Sequence, residues 1–292
     1  MWLLKNYLFQ LRYYQQEAIT KLFESHYPNK KCIMACGTGK SVIMVEYIKR
    51  KNSNRIAILL PSLQLISQFY KKLSVNIVDR EILCICSQMD KTTLTCGEET
   101  NEIDAENTLN EFLALDETIY TTNPNIINNK LKLERLIVLC TYQSSKLLKY
   151  ANFDLALFDE AHKTVNNHMF GYLLDNRNCV INERVYFTAT PRYYKGKNEN
   201  YVSMDNKIIY GNTCYEYSFK RAISEKQILD FQIVAYNVPE NMEDIVTEKY
   251  IKNDNLNVHS EILISAIMLA QHIKNNKECT KILTYHNSVN NA

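Results

Sequence analysis

Residues 34–41 read Met-Ala-Cys-Gly-Thr-Gly-Lys-Ser, with an apolar run over 31–34 before them and helix-like residues over 42–50 after them. A glycine-rich turn between a strand and a helix points successive backbone N–H groups inward, where they bind phosphate oxygens. Lys40 and the Ser41 hydroxyl then reach the terminal phosphates and a magnesium ion. The stretch therefore predicts a loop that binds a nucleoside triphosphate with Mg²⁺. Its predicted nucleotide-binding residues are Cys36, Gly37, Thr38, Gly39, Lys40 and Ser41.

A second stretch, residues 153–162, reads Phe-Asp-Leu-Ala-Leu-Phe-Asp-Glu-Ala-His. A buried strand that ends in two adjacent carboxylates directs one of them toward a metal ion and leaves the other free to position or deprotonate water. We therefore predict Asp159 as a Mg²⁺ ligand together with Ser41, and Glu160 as the catalytic base. Taken alone, the acidic pair also fits the exposed start of a helix, and the loop also fits a kinase or a GTPase.

Short apolar runs of strand length recur along the first two thirds of the chain, with helical stretches between several of them. Continuous apolar runs indicate strands covered on both faces, and alternation with helices predicts a parallel sheet with helices on both sides. Ligands of such sheets bind beyond the carboxyl ends of the strands, where the polar motifs lie. The predicted strands are 31–35, 55–60, 82–86, 136–140, 153–158 and 184–187.

Past Tyr201 the apolar pattern loosens, and a second α/β set follows. Residues 230–238 and 281–285 predict strands, and 260–274 predict an amphipathic helix. We expect a first domain over residues 1–225 and the beginning of a second domain over 226–292.

Charge is distributed unevenly, although the net charge of the 292 residues is only +2. Residues 92–129 hold eight carboxylates and no Lys or Arg, so the remainder is distinctly basic. That remainder could face a polyanion such as nucleic acid. The acidic segment could equally be a solvated helix or loop beside an ordinary mixed surface.

The nine cysteines include no Cys-x-x-Cys pair, and a disulfide at Cys36 would obstruct the phosphate loop. We therefore expect a reducing, intracellular compartment, either cytoplasm or a virus-infected cell, and no secretion. A zinc role for Cys84 and Cys86 remains the weaker alternative to two cysteines on one strand. No stretch of the sequence has the length and hydropathy of a membrane span, so we expect no membrane partner.

Further motifs follow in a fixed order, and with them the chain resembles the ATPase core of superfamily 2 helicases of the DEAD/DEAH type. Within these it is most similar to the type III restriction-subunit-like predicted helicases of bacteria and large DNA viruses. The resemblance covers almost the whole chain. The matching stretches are 11–15, 34–41, 59–62, 140–145, 159–162, 188–192, 203–205, 210–211, 219–231 and 281–288.

The resemblance implies a RecA-like first domain, ATP and Mg²⁺ as cofactors, and a role for each matching motif. Gln15 would select adenine, and His162 would contact Thr188 and Thr190 in the motif that couples hydrolysis to domain movement. Nucleic acid, with DNA favoured over RNA, is the implied partner. The residues implied in contacts with its backbone are Ser62, Thr141, Gln143 and Ser144.

The implied activity is ATP hydrolysis coupled to movement on DNA or to its unwinding. Because the later motifs of the second domain do not follow residues 281–288, we expect a fragment without the remainder of that domain, which binds ATP but hydrolyses it slowly. The alternative is an ATP-dependent clamp, or a restriction-type translocase subunit that does not separate strands.

Overall fold

A seven-stranded sheet, parallel throughout, organises most of the computed structural model, which describes residues 10–86, 120–194, 202–231, 250–253 and 256–276. The strands lie in the order β3-β4-β2-β5-β6-β1-β7. This is the α/β architecture with a parallel sheet that the apolar runs predict. The strands are β1 (Asn29–Met34), β2 (Arg55–Leu60), β3 (Glu81–Ile85), β4 (Leu136–Thr141), β5 (Asn152–Phe158), β6 (Val180–Thr188) and β7 (Asn212–Tyr217).

The central strands are buried because both faces of the sheet are covered. In β2, Ile56 and Ile58 pack into one apolar cluster, whereas Ala57 and Leu59 pack into the other. All six residues of β4 are buried. Successive side chains of a strand point to opposite faces, so two hydrophobic clusters need continuous apolar runs rather than alternating ones.

Helices occupy both faces of this sheet. Three longer helices pack their apolar sides into the cluster that contains Ile56, and two short helices contribute to the cluster that contains Ala57. The former are α1 (Tyr13–Glu24), α2 (Lys40–Lys51) and α3 (Leu63–Asn76), and the latter are α4 (Pro124–Lys130) and α5 (Lys207–Tyr210). The short helix α6 (Phe219–Ser224) follows β7.

The sequence pattern did not predict strand β7. It pairs in parallel with β1, for example Met34 with Tyr217, and lies at the edge of the sheet. Its burial alternates, since Asn212, Thr213 and Glu216 are exposed while Tyr215 and Tyr217 are buried. This strand therefore lacks the continuous apolar run by which the other six strands of the sheet are recognised.

Gly211 makes the turn into β7 possible. Its φ of +68° lies in the region that favours glycine, and an added Cβ would lie 1.7 Å from the backbone oxygen of Asn29. The carbonyl oxygens of Gly211 and Met204 both accept hydrogen bonds from the buried Lys31 ammonium, at 2.8 Å and 2.6 Å. Strand β1 thus holds the segment that leads into β7.

The chain forms two compact units, with a boundary between Leu229 and Asp230. In the second unit, β8 (Tyr250–Asn253) and β9 (Leu256–His259) form an antiparallel pair, and α7 (Ser260–Asn275) follows at the predicted place. The predicted domain limits of 225 and 226 stay a prediction.

Some predictions fall outside the described residues. They concern most of the acidic segment 92–129, most of the strand over 230–238, and the strand over 281–285. Across the described ranges, every helix is too short or too polar to cross a bilayer.

Candidate functional site

The loop between β1 and α2 has the backbone shape that phosphate binding needs. Gly37 and Gly39 have φ angles of +77° and +88°, in the left-handed region that glycine adopts without steric cost. The Thr38 hydroxyl donates to the carbonyl of Ala35 at 2.6 Å, which closes the loop upon itself. Helix α2 begins directly after Gly39, so the loop leads into a helix N-terminus, which favours anions.

Lys40 points across the sheet to the second predicted motif. Its ammonium lies 3.5 Å from Glu160 Oε1, and both side chains are largely buried. The register explains this proximity: β5 and β1 both pair with β6, so their carboxyl ends meet at one edge of the sheet. The structure therefore brings together two segments that are far apart in sequence.

His162 connects this ion pair to the end of β6. Its Nδ1 lies 3.4 Å from Glu160 Oε2, 2.9 Å from the Thr188 hydroxyl and 3.5 Å from the Thr190 hydroxyl. The Thr188 hydroxyl also accepts a hydrogen bond from the backbone N–H of Thr190 at 3.1 Å. The predicted contact of His162 with Thr188 and Thr190 is thus present.

The two neighbouring carboxylates differ in their electrostatics. Burial, and then the charge of Glu160, raises the pKa of Asp159 to about 6. Burial also acts to raise the pKa of Glu160, but the hydrogen bond with His162 and the charge of Lys40 outweigh it, and the pKa lies below its ordinary value. Glu160 is therefore ionised at neutral pH, as a general base must be.

The surroundings of the Asp159 carboxylate favour the binding of a divalent cation. Its Oδ1 is buried and has no hydrogen-bond partner within the described part of the chain. A buried carboxylate oxygen without a partner is costly, and carboxylate and hydroxyl oxygens are the ligands that Mg²⁺ accepts. The donor set of Asp159 and Ser41 is thus suited to Mg²⁺.

Lys72 is a residue of this site that sequence reasoning missed. It lies on α3, and its ammonium donates a hydrogen bond of 2.7 Å to the Ser41 hydroxyl. Its charge and the charge of Asp159 also act on each other. Nothing in the sequence around position 72 resembles a ligand motif, so only the fold reveals it.

Gln15 lies beside the phosphate loop, with its side-chain amide engaged at both ends. Its Oε1 accepts from the backbone N–H of Arg12, and its Nε2 donates to the carbonyl of Thr38, each at 3.0 Å. These bonds tie the start of α1 to the loop. The predicted selection of adenine by Gln15 stays a prediction.

The four residues assigned to nucleic acid lie at the same edge of the sheet, because β2 pairs with β4 in register. Ser62 caps α3, its Oγ accepting from the backbone N–H of Leu65 at 3.5 Å. Thr141 is buried and donates to the Ser144 hydroxyl at 3.0 Å. Gln143 is exposed.

Tyr142 is a second residue that sequence reasoning missed. Its hydroxyl donates to the backbone carbonyl of Asp159 at 2.6 Å, and its ring stacks on Phe170. Residues 141–144 are therefore bonded directly to the strand end that carries both carboxylates. A tyrosine in this place reads in the sequence as an ordinary core residue, and no ligand signal marks it.

Comparison with known proteins gives a consistent family. A model described as the res subunit of type III restriction enzymes matches residues 8–193. No curated protein matches the chain.

Solved structures that share the fold include two type ISP restriction enzymes. The ATP-dependent type ISP restriction-modification enzyme LlaBIII bound to DNA is 23% identical, with a TM-score of 0.58 over 76% of this chain and 16% of that one. A nuclease-deletion mutant of the type ISP enzyme LlaGI, in complex with a DNA substrate mimic, is 22% identical, with a TM-score of 0.54 over 82% of this chain and 22% of that one. This chain thus spans less than a quarter of the length of either.

Proposed function

Because this chain belongs to the family of the type III restriction enzyme res subunit, we propose that it is the ATP-hydrolysing core of a DNA translocase or helicase. One observation carries the proposal: an unbroken series of contacts runs from Lys40 through Glu160 and His162 to Thr188. The series joins the phosphate loop, the acidic pair and the end of β6, which are the parts that ATP hydrolysis has to connect.

In the proposed mechanism, the backbone N–H groups of residues 36–41 hold the phosphates of ATP. Mg²⁺ bound with ATP, held by Ser41 and Asp159, would neutralise phosphate charge as the terminal phosphoryl group is transferred. Lys40 exchanges its contact with Glu160 for a contact with the phosphates. Glu160 is then free to orient water and to accept its proton.

Movement on DNA is proposed to follow from the position of His162. Because His162 contacts both Glu160 and Thr188, a change at Glu160 alters the hydrogen bonds at the end of β6. Differential contacts of this kind are what a nucleotide needs in order to shift a protein between two arrangements.

Contacts with the nucleic-acid backbone are proposed for Ser62, Thr141, Gln143 and Ser144. Neutral side chains of this type hold phosphates without reading bases, which suits an enzyme that travels across any sequence. DNA is preferred over RNA in the proposal because both similar enzymes, by their descriptions, are bound to DNA or a DNA mimic.

The experiment that tests the proposal is the ATPase rate of the protein with single-stranded DNA, duplex DNA and RNA at one fixed salt concentration. Stimulation by DNA supports the proposal, whereas a rate that no nucleic acid changes contradicts it. Strand displacement measured in parallel separates a helicase from a translocase or clamp that leaves the duplex intact.

A further inference from the structure

Lys72 places a positive charge against the groups that are suited to Mg²⁺. Its ammonium donates to the Ser41 hydroxyl at 2.7 Å, and its charge interacts with the Asp159 carboxylate. The ammonium also lies 5.9 Å from the centre of the Phe69 ring on α3. Lys72 thus contacts Ser41 on α2 and Phe69 on its own helix α3.

Two lysines contact different groups of the site. Lys40 pairs with Glu160, and Lys72 pairs with Ser41, so the expected base and one of the two expected metal ligands each already face an ammonium. The other expected ligand, Asp159, has a buried Oδ1 with no hydrogen-bond partner among the described residues, so this arrangement leaves part of the site unsatisfied. A lysine cannot replace a metal ion there, because one ammonium does not supply the several coordination positions that carboxylate and hydroxyl oxygens share around Mg²⁺.

We propose that Lys72 is a displaceable competitor of Mg²⁺: its ammonium occupies the Ser41 hydroxyl while the site is empty and withdraws when Mg²⁺ and nucleotide bind. The inference rests on the proposed nucleotide-binding function and adds a regulatory residue to it. Competition of this kind multiplies the affinity for Mg²⁺ by the fraction of molecules in which the Ser41 hydroxyl is free of Lys72. If the contact is formed in nine tenths of the molecules, the apparent affinity for Mg²⁺ is about tenfold weaker.

The first test is a Mg²⁺ titration of the binding of a fluorescent, non-hydrolysable ATP analogue. Lys72→Met keeps most of the apolar stem of the side chain and removes the ammonium. We expect the half-saturating Mg²⁺ concentration to fall by about threefold to tenfold. Lys49→Met is the matched control, since Lys49 lies on α2, is exposed, and pairs with Glu46 rather than with the site; it should leave the titration unchanged.

Two outcomes of the titration would contradict the proposal. An unchanged or higher half-saturating concentration in Lys72→Met means that Lys72 does not compete with the metal. An equal fall in Lys49→Met means that net charge, rather than the Ser41 contact, governs Mg²⁺ affinity.

The second test measures how accessible the Lys72 amine is to a reagent. Acetylation of lysines by a short pulse of reagent, read by mass spectrometry, should become faster at Lys72 when Mg²⁺ and the analogue are added, and should not change at Lys49. Slower or unchanged acetylation at Lys72 overturns the proposal, because the ammonium would then stay in place or move onto the phosphates.

Loss of the nucleotide-binding function and loss of the Lys72 role would give different results. If the unmodified protein binds no analogue at any Mg²⁺ concentration, the nucleotide-binding function is wrong and the role of Lys72 falls with it. If the protein binds the analogue with Mg²⁺ but Lys72→Met titrates normally, the role of Lys72 alone is wrong.

Discussion

Asp159 and Glu160 are adjacent in the chain, yet their carboxylates are in very different surroundings. Glu160 faces Lys40 and His162, whereas Asp159 has a buried oxygen with no partner in the described ranges. The protein without nucleotide therefore holds one satisfied and one unsatisfied acid side by side. A site of this kind is less stable than an ordinary core, because its geometry serves a ligand rather than the fold.

Asp159→Asn should stabilise the protein when no nucleotide is bound. The pKa of Asp159 is about 6, above its ordinary value of 3.8, so ionisation at pH 7 is worth up to about 3 kcal/mol against the folded state, at ~1.36 kcal/mol per pKa unit. Between these two pKa values the folded state binds more protons than the unfolded state, and its stability falls as the pH rises. The advantage of the variant should therefore grow from pH 4 to pH 6 and then level off.

Denaturant unfolding of both proteins across this pH range checks the prediction. Glu24→Gln is a suitable control, because Glu24 is exposed and pairs with Lys21 on the surface, and it should change stability by less than about 0.5 kcal/mol. Equal stability of Asp159→Asn and the unmodified protein at pH 7 would show that the buried carboxylate is satisfied.

Glu160→Gln should keep nucleotide binding and lose turnover. The amide keeps the size of the side chain but cannot accept a proton from water, and removal of a general base costs about 10² to 10⁴ in rate. Lys40→Ala should instead weaken nucleotide binding itself, since it removes the ammonium that faces the phosphates. The measurements are analogue affinity and ATPase rate for both variants; hydrolysis by Glu160→Gln at the unmodified rate excludes Glu160 as the base.

Single residues show where prediction from sequence stops. Lys40, Asp159 and Glu160 could be predicted because each follows a strand within a recognisable motif. Lys72 and Tyr142 could not, because their roles depend on which helix and which strand end they meet in space.

Elements were predictable to the extent that burial was continuous. The run 55–60 coincides with β2, which is covered on both faces. Strand β6 begins four residues before its predicted run 184–187, because its first residues alternate between exposed and less exposed positions. Strand β7 has exposed residues along its length, with only Tyr215 and Tyr217 buried, and escaped prediction entirely.

Gly211→Ala tests the turn between helix α5 and strand β7. A Cβ there would lie 1.7 Å from the Asn29 backbone oxygen, at a φ of +68°, so either the turn or the pairing of β1 with β7 has to shift. We expect a loss of at least about 3 kcal/mol in the free energy of unfolding. Gly171→Ala is the control, because its φ is −82° and its nearest contact would be 3.0 Å; similar losses in the two variants would show that Gly211 has no special constraint.

At the scale of the whole molecule, the sequence predicted a parallel sheet but not the order of its strands. The site depends on that order, since β1 and β5 both have to pair with β6 before Lys40 can reach Glu160. Strand order follows from the packing of all the elements together, and no local pattern specifies it.

At the same scale, the affinity of the proposed surface for nucleic acid should depend only weakly on salt concentration. The four proposed contact residues are neutral, so binding through them should release few counterions. Each neutralised phosphate of a single strand contributes a slope of about −0.7 to the plot of log affinity against log salt. We expect a total slope shallower than about −2 for labelled single-stranded DNA, measured by fluorescence anisotropy.

Gln143→Ala should lower the affinity at every salt concentration without changing this slope, because it removes a neutral contact. A slope steeper than about −4 would place the strand on a basic surface instead of on these residues.

The position of β1 between β6 and β7 has a consequence for how the protein is made. When β1 leaves the ribosome, both of its partners are still untranslated, and Tyr217 at the end of β7 follows on the order of ten seconds or more later, at roughly 5 to 20 residues per second. During that interval the nascent chain exposes a strand with two unpaired edges, and unpaired strand edges make a folding chain prone to aggregation. Synthesis rate and chaperone supply should therefore affect the yield of this protein more than the stability of its finished fold suggests.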